Sequence, residues 1–266
     1  MTDTNSMTIL YQMGKVGSTS VHDALIASEL DSPVHKVHFL SDTGLAHSEK
    51  FHQKTLKNNA HWTTPYLDTT HHVRKRIASE PELKLNIVTL VREPVRRELS
   101  EFFQYVDALH PELVDQDGNL NTQRALRVIQ ARFMFYNEAN NYTCRWFDTE
   151  VKEHFGLDVF AHPFDCERGY SLIEQGNIRL LVLRMEDIDR SLNSALRQLL
   201  GPAYKDWDST ARANTAKDKQ SGSHYGELVN TIKLRGSTCQ KVYASTYASH
   251  FYSDKERADL IAQWSQ

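Results

Sequence analysis

Two glycines, one lysine and three hydroxyl residues lie together in the stretch GKVGSTS, residues 14–20. Gly14 and Gly17 allow the backbone to approach a ligand closely and to adopt a positive φ. Lys15 adds a positive charge. Hydroxyl donors come from the residues that follow the second glycine: Ser18, Thr19 and Ser20. These groups predict a cradle for a phosphate or sulfate. A glycine turn with an ordinary Ser/Thr helix cap is the alternative, but it gives no reason for the lysine.

A second basic element follows the apolar run LKLNIVTLV, residues 83–91. Arg92 comes directly after this run, and arginine suits two-point binding of a phosphate dianion. Ser100 is eight residues further, about two turns along a helix that begins near Pro94. Arg92 and Ser100 are therefore further candidates for binding an anion. The same helix carries two arginines that we interpret as surface residues paired with nearby glutamates, Arg96 and Arg97.

The elements that position these residues alternate between strand and helix. Strands are predicted at residues 8–13, 34–40, 83–91 and 177–186. Helices are predicted at residues 18–29, 94–109, 122–138, 189–200 and through the last 40 residues. This alternation favours an α/β fold, with a parallel central sheet flanked by helices on both faces. Residues 41–70 are interpreted as loop with one helix at most, and residues 205–226 as a mobile lid or linker.

The carboxyl edge of such a sheet is where ligands bind. The turn at residues 14–20 follows the first strand and Arg92 follows the third, so both are expected at that edge. A helix N-terminus there offers unpaired N–H groups and a partial positive charge to an anion. The turn and Arg92 are therefore predicted to bind the same ligand.

Composition limits the classes of protein that are possible. The chain has 266 residues and a net charge of -3, which gives no support for a nucleic-acid binder. No apolar run approaches the roughly 18 residues of a membrane span, and the N-terminus lacks the pattern of a signal peptide. Three widely spaced cysteines favour a reducing cytoplasm over a disulfide framework. We expect one cytoplasmic domain over residues 1–266.

Three stretches together resemble one family. YQMGKVGSTSVHDAL (residues 11–25) is similar to the 5′-phosphosulfate loop of sulfotransferases that use 3′-phosphoadenosine 5′-phosphosulfate (PAPS), and LVREPVRRELSEFF (90–103) to their 3′-phosphate motif. LLVLRMEDI (180–188) resembles a strand before a late helix in carbohydrate sulfotransferases. The form YQMGKVGSTS, with SHFYSDKE (249–256), is similar to bacterial proteins grouped under capsular polysaccharide synthesis.

The resemblance implies a P-loop-like three-layer fold and transfer of a sulfuryl group to a hydroxyl or amine of a carbohydrate-like acceptor, leaving 3′,5′-ADP. Carried over by position, the residues that would bind the 5′-phosphosulfate are Gly14, Lys15, Gly17, Ser18, Thr19 and Ser20. Arg92 and Ser100 would bind the 3′-phosphate. Lys15 would also neutralise charge on the leaving phosphate oxygen. No metal is expected, because a sulfuryl group carries less charge than a phosphoryl group.

The C-terminal Arg-Lys-Gly signature of cytosolic sulfotransferases is missing as such, which leaves the closure of the 3′-phosphate side open. Lys217, Lys219 and the pair Arg235-Gly236 are weaker candidates for contacts on the nucleotide. A saccharide acceptor is the expected partner. The stretch RFMFYNEANNY (residues 132–142) is predicted to supply core aromatics, with Tyr136 or Tyr142 as alternative sugar-stacking residues.

An acceptor hydroxyl must lose its proton, so a base is expected within hydrogen-bond reach. His38 is the first candidate, since it lies near the end of the second strand and at the same edge. The stretch resembles the strand that presents histidines to the acceptor in uronyl 2-O-sulfotransferases. His35 and Asp42 are held in reserve, and an ordinary strand histidine is the alternative interpretation of His38.

Two other functions stay open at this point. A P-loop kinase-like phosphotransferase would need a lysine after the second glycine and an aspartate at a strand end, and the sequence has neither. A non-catalytic nucleotide-binding protein of capsule assembly would bind 3′,5′-ADP without transferring a sulfuryl group.

Overall fold

The computed structural model describes residues 5–56, 66–208, 226 and 229–266. The chain divides into two compact units. The described part of the first unit consists of residues 5–48, 66–92 and 146–208, and that of the second consists of residues 49–56, 93–145, 226 and 229–266. The single domain expected over residues 1–266 stays a prediction.

The first unit is built on a five-stranded sheet. Its strands are β1 (Ser6–Tyr11), β2 (Val34–Val37), β3 (Lys84–Val91), β4 (Tyr170–Gln175) and β5 (Ile178–Arg184). They lie in the order β2-β1-β3-β5-β4. Four strands are parallel, and β4 pairs antiparallel with β5. The prediction of an α/β fold with a mostly parallel central sheet is confirmed.

The central strand β3 is apolar because both of its faces are buried. Its last five residues, 87–91, are fully buried without a break. Because successive side chains of a strand point to opposite faces of the sheet, both faces of β3 are covered. An uninterrupted β-branched run is typical of such a strand.

The strand β4 is missing from the sequence-based prediction. It is an edge strand joined to β5 by the two-residue turn Gly176-Asn177, in which Gly176 has a φ of 58°. Its segment YSLIEQ is only partly buried, with Glu174 and Gln175 exposed. A short, half-exposed strand of mixed polarity gives little periodic signal.

Together with several short 3-10 helices, the chain also forms α-helices. In chain order they are α1 (Ser18–Ala27), α2 (Asp42–Leu56), α3 (Leu67–Ser79), α4 (Pro94–Leu109), α5 (Thr122–Met134), α6 (Tyr142–Trp146), α7 (Glu153–Phe155), α8 (Ile188–Leu200), α9 (Gly236–Tyr243), α10 (Thr246–Phe251) and α11 (Asp254–Trp264). A π-helical turn, Phe147–Lys152, joins α6 to α7. Among the described helices, none is long and apolar enough to cross a membrane.

Helix α2 corrects the prediction that residues 41–70 are mainly loop. Its sequence DTGLAHSEKFHQKTL is polar, so the apolar periodicity that identifies a helix is weak. The helix begins instead at a cap, because the Ser41 hydroxyl accepts a hydrogen bond from the Gly44 N–H at 2.8 Å.

The second unit packs helices around its own apolar core. Helix α4 contributes Val95, Leu99, Phe102 and Val106, and α5 contributes Ala125, Ile129 and Phe133. Trp264 of α11 is buried in the same cluster. The C-terminal helices α9–α11 confirm the helical prediction for that end, whereas the helix predicted over residues 122–138 ends at Met134.

Arg97 is the clearest exception to the predicted surface of α4. It is 1% exposed and pairs with Glu98 at 3.0 Å and with Glu101 at 2.6 Å. Its guanidinium also lies 5.2 Å from the ring centre of Tyr142. The predicted pairing with glutamates is confirmed, but the surface location is wrong for Arg97.

Candidate functional site

The turn between β1 and α1 has an unusual backbone. Lys15 has a φ of 70° and Gly17 a φ of 78°. A lysine in this left-handed region is uncommon, and such residues cluster at functional sites. A Cβ on Gly17 would also lie 2.9–3.1 Å from the flexible side chain of Met185, so the positive φ is the stronger reason for glycine at this position. Gly14 does not adopt the positive φ expected of it, whereas Lys15, the next residue, does.

The three loops that follow β1, β3 and β5 converge on this turn. The Nη1 of Arg92, directly after β3, donates a hydrogen bond to the Lys15 carbonyl at 2.9 Å. Met185, directly after β5, lies against Gly17. The structure therefore brings together the predicted residues of the turn and Arg92, at the carboxyl ends of neighbouring parallel strands.

The strand order places this turn at a switch point of the sheet. Strand β2 lies on one side of β1 and strand β3 on the other. The chain therefore changes direction across the sheet between the connections that leave β1 and β2. Crevices at such switch points, outside the carboxyl ends of the strands, are where open α/β sheets bind ligands.

The start of α1 adds donors to the same place. Its first turn holds Ser18, Thr19 and Ser20 and no acidic residue. The helix dipole places partial positive charge at this end, where it favours an anion. One buried polar atom here is unsatisfied, because Oε1 of Gln12 has no hydrogen-bond partner among the described residues.

His38 lies directly after β2 and is connected to the turn through Gln12. Its Nδ1 is 2.8 Å from the Gln12 carbonyl oxygen, and Nε2 of the Gln12 amide donates to the Ser18 hydroxyl at 3.1 Å. A carbonyl oxygen only accepts, so Nδ1 carries the proton of the neutral ring and Nε2 keeps its lone pair. Burial lowers the pKa of His38 despite the Gln12 hydrogen bond, and the charge of Lys36 lowers it further. A neutral imidazole of this tautomer can accept a proton at Nε2.

The reserve candidates are placed differently. Asp42 is exposed at the start of α2 and pairs with Arg74 at 2.6 Å. His35 lies on β2 with its ring centre 5.3 Å from that of His72 on α3. Burial lowers the pKa of His35, and His72 and Arg76 lower it further. Of these three residues, His38 is the one that forms a hydrogen bond with Gln12 in the described part of the chain.

Glu150 is a site residue that sequence reasoning missed. It lies on the π-helical turn, is 1% exposed, and accepts hydrogen bonds from the Leu40 N–H at 2.8 Å and the Ser41 N–H at 3.1 Å. The Ser41 hydroxyl donates at 2.9 Å, and the Tyr11 hydroxyl donates as well. Burial raises the pKa of Glu150, against the effect of these hydrogen bonds. The carboxylate thus ties the end of β1 to the segment that follows His38.

A helical glutamate among other charged residues gives no local sign of this role. The only trace in the sequence is Gly44, where a Cβ would lie 1.5 Å from an oxygen of Glu150. That constraint becomes visible only once residues about a hundred positions apart are known to meet.

Residues of the third motif, LLVLRMEDI, have two roles: some form ion pairs, and Met185 contacts the turn at Gly17. Arg184, the last residue of β5, is 3% exposed and pairs with Asp187. Arg190 also pairs with Asp187, at 2.8 Å. These ion pairs stabilise the turn after β5, while Met185 reaches Gly17.

The remaining predicted residues belong to other parts of the chain. Ser100 is half-buried on α4, in the second unit, and its contact with a 3′-phosphate stays a prediction. Arg235 and Gly236 lie at the start of α9 in the same unit. Lys217 and Lys219 lie outside the described residues. Within the described ranges, no group of three or more His, Cys, Asp or Glu side chains is placed to bind a metal ion.

Comparison with known proteins gives one match. A family model described as "Putative capsular polysaccharide synthesis protein" matches residues 119–253. This range is just over half of the chain. It includes LLVLRMEDI (180–188) but neither the turn at residues 14–20 nor Arg92. No curated protein and no solved structure matches the chain.

Proposed function

The chain belongs to the family described as putative capsular polysaccharide synthesis proteins, and from this premise we propose that it is a PAPS-dependent sulfotransferase. It would transfer a sulfuryl group to a hydroxyl or amine of a carbohydrate-like acceptor. One observation supports the proposal above all others. The turn at residues 14–20, the N-terminus of α1 and Arg92 meet at one switch point of the sheet, with Arg92 Nη1 2.9 Å from the Lys15 carbonyl.

The donor binds by its two anionic ends, in a P-loop-like arrangement. Lys15, the backbone of the turn and the hydroxyls of α1 bind the 5′-phosphosulfate. Arg92 binds the 3′-phosphate. A guanidinium has five N–H donors, so binding the Lys15 carbonyl is compatible with binding a phosphate. Lys15 adopts the left-handed conformation, so the loop turns at this residue although it is not a glycine.

The chemical step is an in-line transfer. The acceptor oxygen attacks sulfur while the bond from sulfur to the 5′-phosphate oxygen breaks. His38 Nε2 takes the acceptor proton, and 3′,5′-ADP leaves with a negative charge that Lys15 and the α1 N-terminus stabilise. Positioning and charge stabilisation account for most of such a reaction.

Nucleotide binding tests the donor site first. Native protein should melt at a higher temperature with 3′,5′-ADP, because a ligand that binds the folded state stabilises it. Lys15→Ala and Arg92→Ala should each weaken binding by roughly 1–3 kcal/mol in calorimetry. Arg92→Ala should also lose the preference for 3′,5′-ADP over 5′-AMP.

The matched control is Lys84→Ala, which removes an exposed lysine from the first residue of β3, at the opposite edge of the sheet. Its affinity should equal that of the native protein. Unchanged affinity in both Lys15→Ala and Arg92→Ala would remove the proposed donor site.

Turnover then separates the three functions. Transfer of label from ³⁵S-PAPS to a saccharide supports the sulfotransferase. Turnover of ATP with magnesium would support a kinase-like phosphotransferase. Binding of 3′,5′-ADP with no transfer to any acceptor would support a non-catalytic nucleotide-binding protein.

A further inference from the structure

A small cavity in the second unit combines an exposed aromatic ring with polar groups. It lies where α5 ends and encloses about 160 Å³. Its lining includes Phe135, Arg132, Glu98 and three asparagines, Asn137, Asn140 and Asn141. The volume is below the roughly 300–1,000 Å³ of pockets for drug-sized ligands, so the cavity suits one small ring.

Phe135 supplies an apolar surface at the rim of this cavity. It follows the last residue of α5 and is 77% exposed, the highest value among the exposed large apolar residues of the described chain. The face of an aromatic ring carries partial negative charge. It therefore attracts a ligand surface made of C–H groups.

Two of the asparagines are held in orientation by hydrogen bonds to the backbone. Oδ1 of Asn137 accepts a hydrogen bond from the Ala139 N–H at 3.0 Å, and Oδ1 of Asn141 accepts one from the Cys144 N–H at 3.1 Å. Their carbonyl oxygens are thus committed to the turns that they cap. The NH₂ groups are left as oriented donors, although that of Asn141 also lies 3.5 Å from Glu98.

Two charged groups of opposite sign complete the lining. The Arg132 guanidinium lies 5.9 Å from the ring centre of Phe102. Glu98 uses Oε1 for Arg97 at 3.0 Å and Thr143 at 3.0 Å. Its Oε2 makes no hydrogen bond to any residue in the described part of the chain, and so remains an acceptor. The opposite charges favour neither an anion nor a cation.

We propose that this cavity binds an uncharged pyranose ring of a saccharide. A pyranose presents C–H groups on one face, which match Phe135, and hydroxyls around its rim, which both donate and accept. Those hydroxyls match the amide donors, the Arg132 guanidinium and the Glu98 carboxylate. The proposal goes beyond sulfuryl transfer, because it concerns a binding site in the second unit that needs no nucleotide.

The test uses the full chain without nucleotide and a panel of oligosaccharides made of glucose, galactose, N-acetylglucosamine or N-acetylgalactosamine. Saturation-transfer NMR should detect binding of at least one of them. Phe135→Ala should weaken that binding roughly tenfold, because it removes the stacking surface. Asn140→Ala should weaken it by a smaller factor.

Met134→Ala is the matched control. Met134 is the adjacent residue, is 47% exposed, and lines a different depression on α5. The Met134→Ala variant should bind the oligosaccharide as the native chain does. Lys15→Ala should do so too, and that result would separate this site from the donor site. Absence of binding to the whole panel, or equal binding by Phe135→Ala and Met134→Ala, would overturn the proposal. Melting temperatures check that each variant is folded.

Discussion

Glu93 and Glu150 are two buried carboxylates that bind backbone N–H groups at different distances along the chain. Both are 1% exposed, and both accept hydrogen bonds from two backbone N–H groups and from a tyrosine hydroxyl. Glu93 lies in the second unit and caps its own helix, α4, through Val95 and Arg96. Glu150 lies in the first unit and binds residues 109 and 110 positions away.

The difference separates a local role from one created by the tertiary structure. Glu93 directly precedes Pro94, so the start of α4 is visible in the sequence. The hydrogen-bond partners of Glu150 among the described residues are all far away in the chain, and removing it would release the segment after His38 from the end of β1. We therefore expect changes near Glu150 to affect both stability and the proposed chemistry, and changes near Glu93 to affect stability alone.

The largest expected effect comes from His38 itself. His38→Ala should lower turnover by about 10²- to 10⁴-fold, the usual contribution of a general base. Its affinity for 3′,5′-ADP should not change, because the proposed donor contacts come from other residues. Steady-state kinetics and calorimetry measure the two effects separately.

His35→Ala is the comparison for that variant, since it removes another histidine of the same segment and should keep most of the activity. Burial lowers the pKa of His38 below its usual 6.5. The base form therefore predominates above that lowered pKa, and kcat/KM should fall only as the pH drops through it, below 6.5. Full activity in His38→Ala would assign the base to another group.

Glu150→Ala should produce the next largest effect, on stability. It leaves the Leu40 and Ser41 N–H groups without their acceptor and opens a cavity beside Gly44. We expect the free energy of unfolding to fall by roughly 2–4 kcal/mol. Urea denaturation followed by circular dichroism measures it.

Glu150→Gln is the control for that loss, because its amide oxygen can still accept from the backbone and its NH₂ can donate to the Ser41 hydroxyl. It should retain most of the stability. If Glu150→Ala were as stable as Glu150→Gln, the carboxylate would not fix this segment.

A smaller effect is expected from the two tyrosines that donate to these carboxylates. Tyr243→Phe should cost about 1–2 kcal/mol of unfolding free energy, because it removes a hydroxyl that donates to Glu93. Burial and the charge of Glu93 raise the pKa of Tyr243, which keeps that proton on the hydroxyl. Tyr11→Phe should cost somewhat less, since Glu150 keeps three other donors.

Thermal or urea unfolding of the two variants side by side tests this ranking. A larger loss in Tyr11→Phe than in Tyr243→Phe would show that the donors to Glu150 are less interchangeable than its hydrogen bonds indicate.

The smallest effect is a pH dependence. Burial raises the pKa of Glu150 above its usual 4.5, so the folded protein holds this proton more tightly than the unfolded chain. The stability that results is fully present below pH 4.5 and is lost as the pH rises through the raised pKa. Native protein should therefore lose stability relative to Glu150→Gln over that range, by at most about 1.4 kcal/mol per pH unit. Parallel urea titrations across this range check the sign.

Local sequence patterns were sufficient to predict the elements that surround the proposed donor site. The β-branched run of residues 84–91 predicts β3, and the glycine turn followed by three hydroxyls predicts the start of α1. Because both strands are parallel, their ends must share one edge of the sheet. The contact between Arg92 and the turn could thus be predicted before the structure was known.

Other features depend on residues that are far apart in the chain. The edge strand β4 is identified by its pairing with β5, and Arg97 is buried because Glu98, Glu101 and Tyr142 surround it. The left-handed conformation falls on Lys15 rather than on Gly14, a choice that local propensity opposes.

The sequence by itself determined the α/β class, the glycine–lysine turn and the arginine that contacts it, since each depends on neighbours along the chain or on strand direction. Only the tertiary structure decided that Glu150 holds the segment after His38, and that Phe135 and the asparagines line one cavity. Burial and hydrogen bonding act through space, so a group's partners cannot be recognised until folding has brought them within a few ångströms.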